Sequence, residues 1–194
     1  MPAYTFILTP GVQLPQDNGY LLLSSLARNL PFLHGNPDIQ IAPVRGTRLR
    51  TNHTFIQTDH KSRLHIRGIT LEQAQTIRGS WVAPMGRVLG IGDFHEEALK
   101  PSTYLASRLV ILPDVVDKAE FKQALQGLLD GVTVNVGNSR ALAMKGRKFI
   151  GYSVHLSDLD AETALRVQQE GIGKYTSMGC GVFYPGRARG SVAA

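Results

Sequence analysis

An α+β fold of two tandem β-α-β-β-α-β units is what this 194-residue sequence predicts, on three observations. Apolar residues switch between the strand period of two and the helical period of 3.6 along the chain. The order of the resulting segments runs once through each half. Each half, at roughly 95 residues, is long enough to bury a core of its own.

In the first half, residues 4–12 read as a strand ended by Pro10-Gly11. Asp17, Asn18 and Gly19 then open a helix with Leu22, Leu26 and Leu30 on one face, and Pro31 stops it. Phe32-Leu33-His34-Gly35 follows as a loop, and residues 39–44 read as a strand. Residues 54–57 and 63–67 are predicted to pair as a hairpin around Thr58–Ser62. Along 63–67, Leu64 and Ile66 face one way, and Arg63, His65 and Arg67 the other. Thr70 with Gln73 makes a capping box for a short helix carrying Leu71, Ala74 and Ile77. Residues 81–91 complete this half as an extended segment broken at Pro84 and Gly86.

The second half opens with an apolar strand over 104–112. Residues 117–130 form the clearest helix, with Phe121, Ala124, Leu125, Leu128 and Leu129 on one stripe. Residues 132–136, 141–145 and 148–155 read as strands, with a tight turn at Lys145-Gly146-Arg147. Ser157 with Asp160 caps a helix to about Glu170; a glycine-rich loop and a short strand at 182–184 follow. This order is ferredoxin-like, the topology that also supports RNA-recognition modules. The predicted domains are 1–95 and 102–194, joined by a linker holding Asp93, Glu96, Glu97, Lys100 and Pro101.

Composition narrows the class. No apolar run approaches the ~20 residues of a membrane span, and no secretory leader is legible at the N-terminus. A single cysteine excludes a disulfide framework and a cysteine zinc site, which suits a cytoplasmic compartment. No histidine pair or His/Cys cluster has metal-ligand spacing, so neither a metal nor another cofactor is expected. The net charge of +6 is unevenly placed. Residues 45–87 carry +6 by themselves, 88–136 carry −3, and 137–194 carry +4. Arg45, Arg48, Arg50, His60, Arg63 and Arg67 lie in the first basic block, and Arg147 with Lys148 in the second. Such blocks suit a phosphate backbone, whose contacts are mainly with arginine and lysine.

Residues 171–190 hold six glycines. Glycine lets a backbone approach a ligand closely, and Lys174, Tyr175, Thr176 and Ser177 add a cation, a ring and two hydroxyls. A plain helix-to-strand turn is the alternative. A nucleotide P-loop fits poorly, because a helix precedes the loop and Tyr175 follows Lys174.

The run Gly171-Ile-Gly-Lys-Tyr-Thr-Ser-Met-Gly-Cys-Gly-Val-Phe-Tyr-Pro-Gly186 resembles the C-terminal glycine-rich motif of the CRISPR repeat-RNA endoribonucleases of the RAMP superfamily. Residues 14–34, from Leu14-Pro-Gln-Asp-Asn-Gly to Phe-Leu-His34, resemble the start of the Myxan-type branch of that family. The two motifs mark opposite ends of the chain, and the double ferredoxin-like order lies between them.

The resemblance implies a metal-independent endoribonuclease. Such an enzyme binds a CRISPR repeat stem-loop and cuts the precursor by attack of the 2′-hydroxyl, and it often stays on the mature guide RNA as a subunit beside other CRISPR-associated proteins. It also admits a non-catalytic RNA-binding subunit. Cleavage needs a base for the 2′-hydroxyl proton and an acid for the leaving oxygen, and histidine serves in either role. The family carries its histidine in or just after the first helix, where this chain has His34. The expected RNA contacts are Arg45, Arg48, Arg50, His60, Arg63, Arg67, Arg147, Lys148 and the loop residues Lys174, Tyr175, Thr176 and Ser177. His53 and Tyr20 are further candidates as proton carriers; His95 and His155 read as structural.

Overall fold

A computed structural model of the chain describes residues 2–52, 54–144 and 146–186. It separates into two compact units. The first comprises Met1–Leu99 with Tyr175–Gly179, and the second Lys100–Lys174 with Cys180–Ala194.

The first unit contains β1 (Ala3–Leu8), β2 (Gln13–Pro15), α1 (Gly19–Asn29), β3 (Gln40–Ile41), β4 (Thr47–Arg48), β5 (Phe55–Gln57), β6 (Arg63–Arg67), α2 (Leu71–Ile77), β7 (Trp81–Val82) and β8 (Leu89–Glu97). The main sheet has the order β3-β6-β1-β8-β7, antiparallel throughout. Its inner face presents Tyr4, Phe6, Leu64 and Ile66 to Leu22 and Leu26 of α1 and to Ala74 and Ile77 of α2, all in one apolar core. The capping box predicted for α2 is present, with Gln73 N–H donating to Thr70 Oγ1 at 3.2 Å and Thr70 N–H to Gln73 Oε1 at 2.9 Å.

Three expectations for this half are corrected. The first strand stops at Leu8, and residues 13–15 form a separate strand in a second sheet of order β2-β5-β4. The expected hairpin between 54–57 and 63–67 does not form, because β5 pairs with β2 and β4 while β6 pairs with β1 and β3. Thr58 is the cause. Its buried hydroxyl donates to Thr9 C=O at 2.8 Å and accepts from Val12 N–H at 2.9 Å, which commits residues 55–58 to the 9–15 segment. The acidic run read as a linker is instead the end of β8. Phe94 alternates inward there against Tyr4 and Phe6, with ring centroids 5.7 and 5.3 Å away, so Asp93, His95 and Glu97 are strand residues.

The second unit contains β9 (Tyr104–Val110), α3 (Lys118–Leu128), β10 (Thr133–Met144), β11 (Arg147–Ser157), α4 (Ala161–Glu170) and β12 (Tyr184–Pro185). Its sheet order is β10-β11-β9-β12, and Phe121 and Leu125 of α3 meet Leu105, Val154 and Leu156 in its core. Two expected strands merge into β10, with a shifted register between Val136 and Ser139. Gly137 sits at that shift, where a Cβ would come within 2.3 Å of Ser153 Oγ. Asp160 alone caps α4, accepting from Thr163 N–H at 2.8 Å, and Ser157 is the last residue of β11. The backbone N–H bonds received by Asp117 and Asp160 hold both cap carboxyls below the usual aspartate range.

Candidate functional site

The site is built around the two ends of α1. At its start, Asn18 is fully buried and acts as a bracket. Its amide nitrogen donates to Pro15 C=O at 3.0 Å and Val44 C=O at 2.9 Å, and its Oδ1 accepts from Val44 N–H at 2.8 Å. Its side chain therefore ties β2 and the segment after β3 to the helix instead of capping it. Tyr20, in the first turn, is half-buried.

At its other end, Pro31–Leu33 make one turn of 3-10 helix and Leu33 is buried. His34 follows with its N–H donating to Pro31 C=O at 3.0 Å, and its side chain is exposed. Among the described residues its ring has no hydrogen-bond partner. The loop beyond it is anchored. Asp38 N–H donates to Asn36 Oδ1 at 3.0 Å, Ile39 is fully buried, and Asp38 C=O lies 2.1 Å from where a Cβ on Gly68 would sit. Leu33 and Ile39 thus hold a short span that presents an imidazole to solvent, which is the arrangement a proton carrier for an external substrate needs.

The basic stretch divides by partner. Arg45, Arg48 and Arg50 are exposed and make no ion pair with a described carboxylate. The 59–62 turn beside them is closed by hydrogen bonds. Ser62 Oγ donates to Arg45 C=O at 2.7 Å, and Asp59 accepts from Lys61 N–H at 2.8 Å and Thr47 Oγ1 at 3.0 Å. The Lys61 N–H bond, then the Thr47 hydroxyl, hold the Asp59 carboxyl below its usual range. His60 is exposed at this turn, and Arg63 Nη1 donates to the carbonyls of His60 and Ser62 at 2.8 and 2.9 Å.

Arg67 departs from the outward placement that alternation predicts, since it is only 3% exposed and donates to Gln40 Oε1 at 3.3 Å. Alternation separates the two faces of a strand but does not say that the second face is open. His65 shares that face, hydrogen-bonded through Nδ1 to Thr5 Oγ1 at 2.8 Å. Burial pushes its pKa down, aided by Arg67 and Arg45, while Glu97 opposes the shift. His95 pairs with Glu97 at 2.8 Å and His155 with Tyr104 Oη at 2.6 Å. His53 lies outside the described residues.

In the second unit, Arg147 and Lys148 are exposed at the start of β11, opposite Met144 and Ala143. β9 pairs with β11 only from Tyr152 onward, so residues 141–144 and 147–150 pair with each other as a two-stranded arm.

The glycine-rich run serves both units. Gly173 and Gly181 pack in the second, where a Cβ would lie 2.3 Å from Ile111 C=O and 1.9 Å from Ile172 C=O. Tyr175–Gly179 pack in the first. Thr176–Met178 form a 3-10 turn between Tyr175 and Gly179, both at positive φ. Met178 C=O sits 1.8 Å from where a Cβ on Gly19 would be, and a Cβ on Gly179 would meet Pro43 at 2.3 Å. These close approaches are to the protein's own backbone and to the Pro43 ring. Lys174 is exposed, and Tyr175, Thr176 and Ser177 are half-buried. This turn meets the start of α1, whereas His34 follows its end. α1 itself is eleven residues, roughly 16 Å, long.

Sequence reasoning missed Asn18 as a bracket; its only outward sign is a polar residue before the helix. It also missed the exposed Trp81, discussed below. Comparison with known proteins places the chain. The family model described as Cas6 Crispr matches residues 5–188. A CRISPR-associated endonuclease Cas6 from Myxococcus xanthus (strain DK1622) is 35% identical over 186 residues, covering 92% of this chain and 79% of the relative. The solved structure of a CRISPR associated protein Cas6 superposes with a TM-score of 0.67 at 12% identity, covering 96% of this chain and 99% of the other. A structure described as a RAMP protein binding different RNA substrates gives 0.69 at 12% identity, covering 94% and 98%.

Proposed function

The chain belongs to the Cas6 family, and from that membership we propose that it is an endoribonuclease that binds a CRISPR repeat stem-loop and cuts the precursor transcript into guide RNA. The observation that carries the reading is the match across nearly the whole chain. The strand orders support taking both units as ferredoxin-like. In each, the first strand of the β-α-β-β-α-β series lies between the third and fourth, with the second outside the third.

In the proposed reaction the 2′-hydroxyl oxygen attacks the adjacent phosphorus and the bond to the 5′-oxygen breaks. The 2′-hydroxyl proton passes to a base, and an acid delivers a proton to the leaving oxygen. The products are a cyclic phosphate and a 5′-hydroxyl, with no metal required for the balance. His34 acts as one of the two proton carriers, supported by its exposed ring on an anchored loop. Arg45, Arg48, Arg50, His60 and Arg63 hold phosphates on the first unit. Arg147 and Lys148 do so on the arm, and Lys174, Tyr175, Thr176 and Ser177 add contacts from the glycine-rich run. Arg67 serves the sheet through Gln40. An A-form stem is read mainly through phosphates and shape, which suits arginines on short strands and a two-stranded arm. The protein works in the cytoplasm and stays on its product beside other CRISPR-associated subunits.

Repeat RNA incubated with the protein in EDTA tests this: one cut per repeat is expected, and an intact transcript at high protein refutes it. His34→Ala should bind the stem-loop as the wild type does, with cleavage slowed on the order of 10²–10⁴-fold. Undiminished cleavage removes His34 from the mechanism. Tight binding by the wild type without any cut makes the chain a binding subunit.

A further inference from the structure

The chain's single tryptophan stands in solvent. β7 and β8 form a hairpin with Trp81 opposite Gly90 and Val82 opposite Leu89. The ladder continues behind it, with Gly79 N–H to Ile91 C=O at 2.8 Å and Ile91 N–H to Ser80 C=O at 2.9 Å. Val82, Pro84 and Leu89 are buried and seat the hairpin on the core. The other side chains turn outward: Trp81 is 60% exposed, Met85 57% and Val88 62%. Neither His34 nor the basic stretch uses them, and three large apolar side chains exposed on one hairpin point to a contact surface.

Charge indicates what it contacts. Arg78 stands 4.0 Å from Asp93, whereas Arg87 has no ion-pair partner among the described carboxylates. Arg87 Nη1 donates to Gln13 Oε1 at 3.1 Å, which directs the guanidinium over β2. Register then runs from Gln13 to Gln57 to Thr47, a polar row whose alternate residues Leu14 and Ile56 are buried. Thr47 closes the row, and Arg48, next along β4, stands in register with Ile56 on the opposite face. An indole, an arginine and two amides thus follow one another across the first unit. A stacking ring beside a cationic, hydrogen-bonding track is what single-stranded nucleic acid needs. A duplex keeps its bases stacked inside and offers no such face.

We infer that Trp81 and Arg87 bind a single-stranded RNA segment, one base stacking on the indole and the neighbouring phosphate meeting the guanidinium. The site rests on the RNA-binding reading above and lies outside every contact named there. Because Trp81 is the sole tryptophan, its fluorescence reports this site alone.

The full chain is titrated with a single-stranded RNA of ~10 nucleotides and, separately, with a blunt hairpin, following Trp81 emission and acrylamide quenching. Anisotropy of the labelled RNA measures binding at all sites in parallel. The single strand should lower emission and shield Trp81, and the blunt hairpin should do neither. Trp81→Ala should weaken single-strand binding on the order of ten-fold with hairpin binding retained, and Trp81→Phe should keep most of the affinity. Retained hairpin binding shows that the variants are folded. Single-strand binding that leaves emission and quenching unchanged overturns the site while the RNA-binding reading stands. Shielding that grows with protein concentration in the absence of RNA assigns the patch to a second copy and also overturns it. No anisotropy change with either RNA overturns the underlying reading together with the site.

Discussion

Gly19→Ala is expected to damage the first unit out of proportion to one methyl group. Its Cβ would lie 1.8 Å from Met178 C=O, against the 3.0 Å below which real Cβ contacts essentially do not occur, so helix and turn must separate by at least 1.2 Å. Neither partner is the tip of a flexible side chain. Gly19 is tied through Asn18 to Val44 and Pro15, and the Met178 turn is pinned by Gly179 on Pro43. Overpacking of this kind costs about 1–3 kcal/mol. For a domain of 60–100 residues, each kcal/mol lowers Tm by about 4–8 °C, so a fall of roughly 10 °C is expected. Trp81 emission follows this unit, since the tryptophan lies within it. The same substitution at Gly127, exposed in α3 with nothing within 4 Å of its Cβ, should stabilise by about 0.5 kcal/mol through helix propensity. A Gly19→Ala melt that coincides with wild type would refute the packing of the glycine-rich turn against α1.

Other outcomes follow from the same geometry. Asn18→Ala strands the buried N–H and C=O of Val44 and should cost about 2–3 kcal/mol, read from urea unfolding. Arg48→Ala and Arg50→Ala should each reduce the slope of log K against log salt for stem-loop binding by about one, whereas Arg67→Ala should leave that slope unchanged and destabilise the sheet. His65 has a folded pKa below its unfolded value, so its contribution to stability is complete above pH ~6.5 and is lost as pH falls through the folded value. Urea midpoints should therefore drop between neutral and mildly acid pH, and His65→Gln should flatten that drop.

Much of the fold is legible because local chemistry and packing agree. α2 is written in Thr70 and Gln73, and α3 in the apolar stripe that buries Phe121 and Leu125. The failures have a common cause, which is long-range competition for a short segment. Residues 55–57 alternate like any hairpin arm, and only the reach of Thr58 to Thr9 and Val12 decides their partner. The acidic end of β8 reads as a linker because its inward set is carried by Phe94 and Tyr4, whose pairing joins segments 90 residues apart. At the site, the loop position of His34 is legible because Pro31 follows the end of α1, whereas its role as a proton carrier rests on the family resemblance. The burial of Arg67 is not legible, because the second face of its strand carries polar residues either way.

The glycine-rich run bears on how family and chemistry relate. Gly19, Gly179 and Gly181 each stand where a Cβ would strike backbone or proline atoms, so the run is constrained by packing whether or not RNA is bound. A segment held to glycine by its own fold is a sensitive mark of that fold and says little about cleavage. His34 is the opposite case: nothing in the described protein holds its ring, so no packing demand requires a histidine there. Replacing the glycines should therefore reduce folding and every activity together. Replacing His34 should separate cleavage from binding, and that separation is what distinguishes a nuclease from a binding subunit built on the same two units.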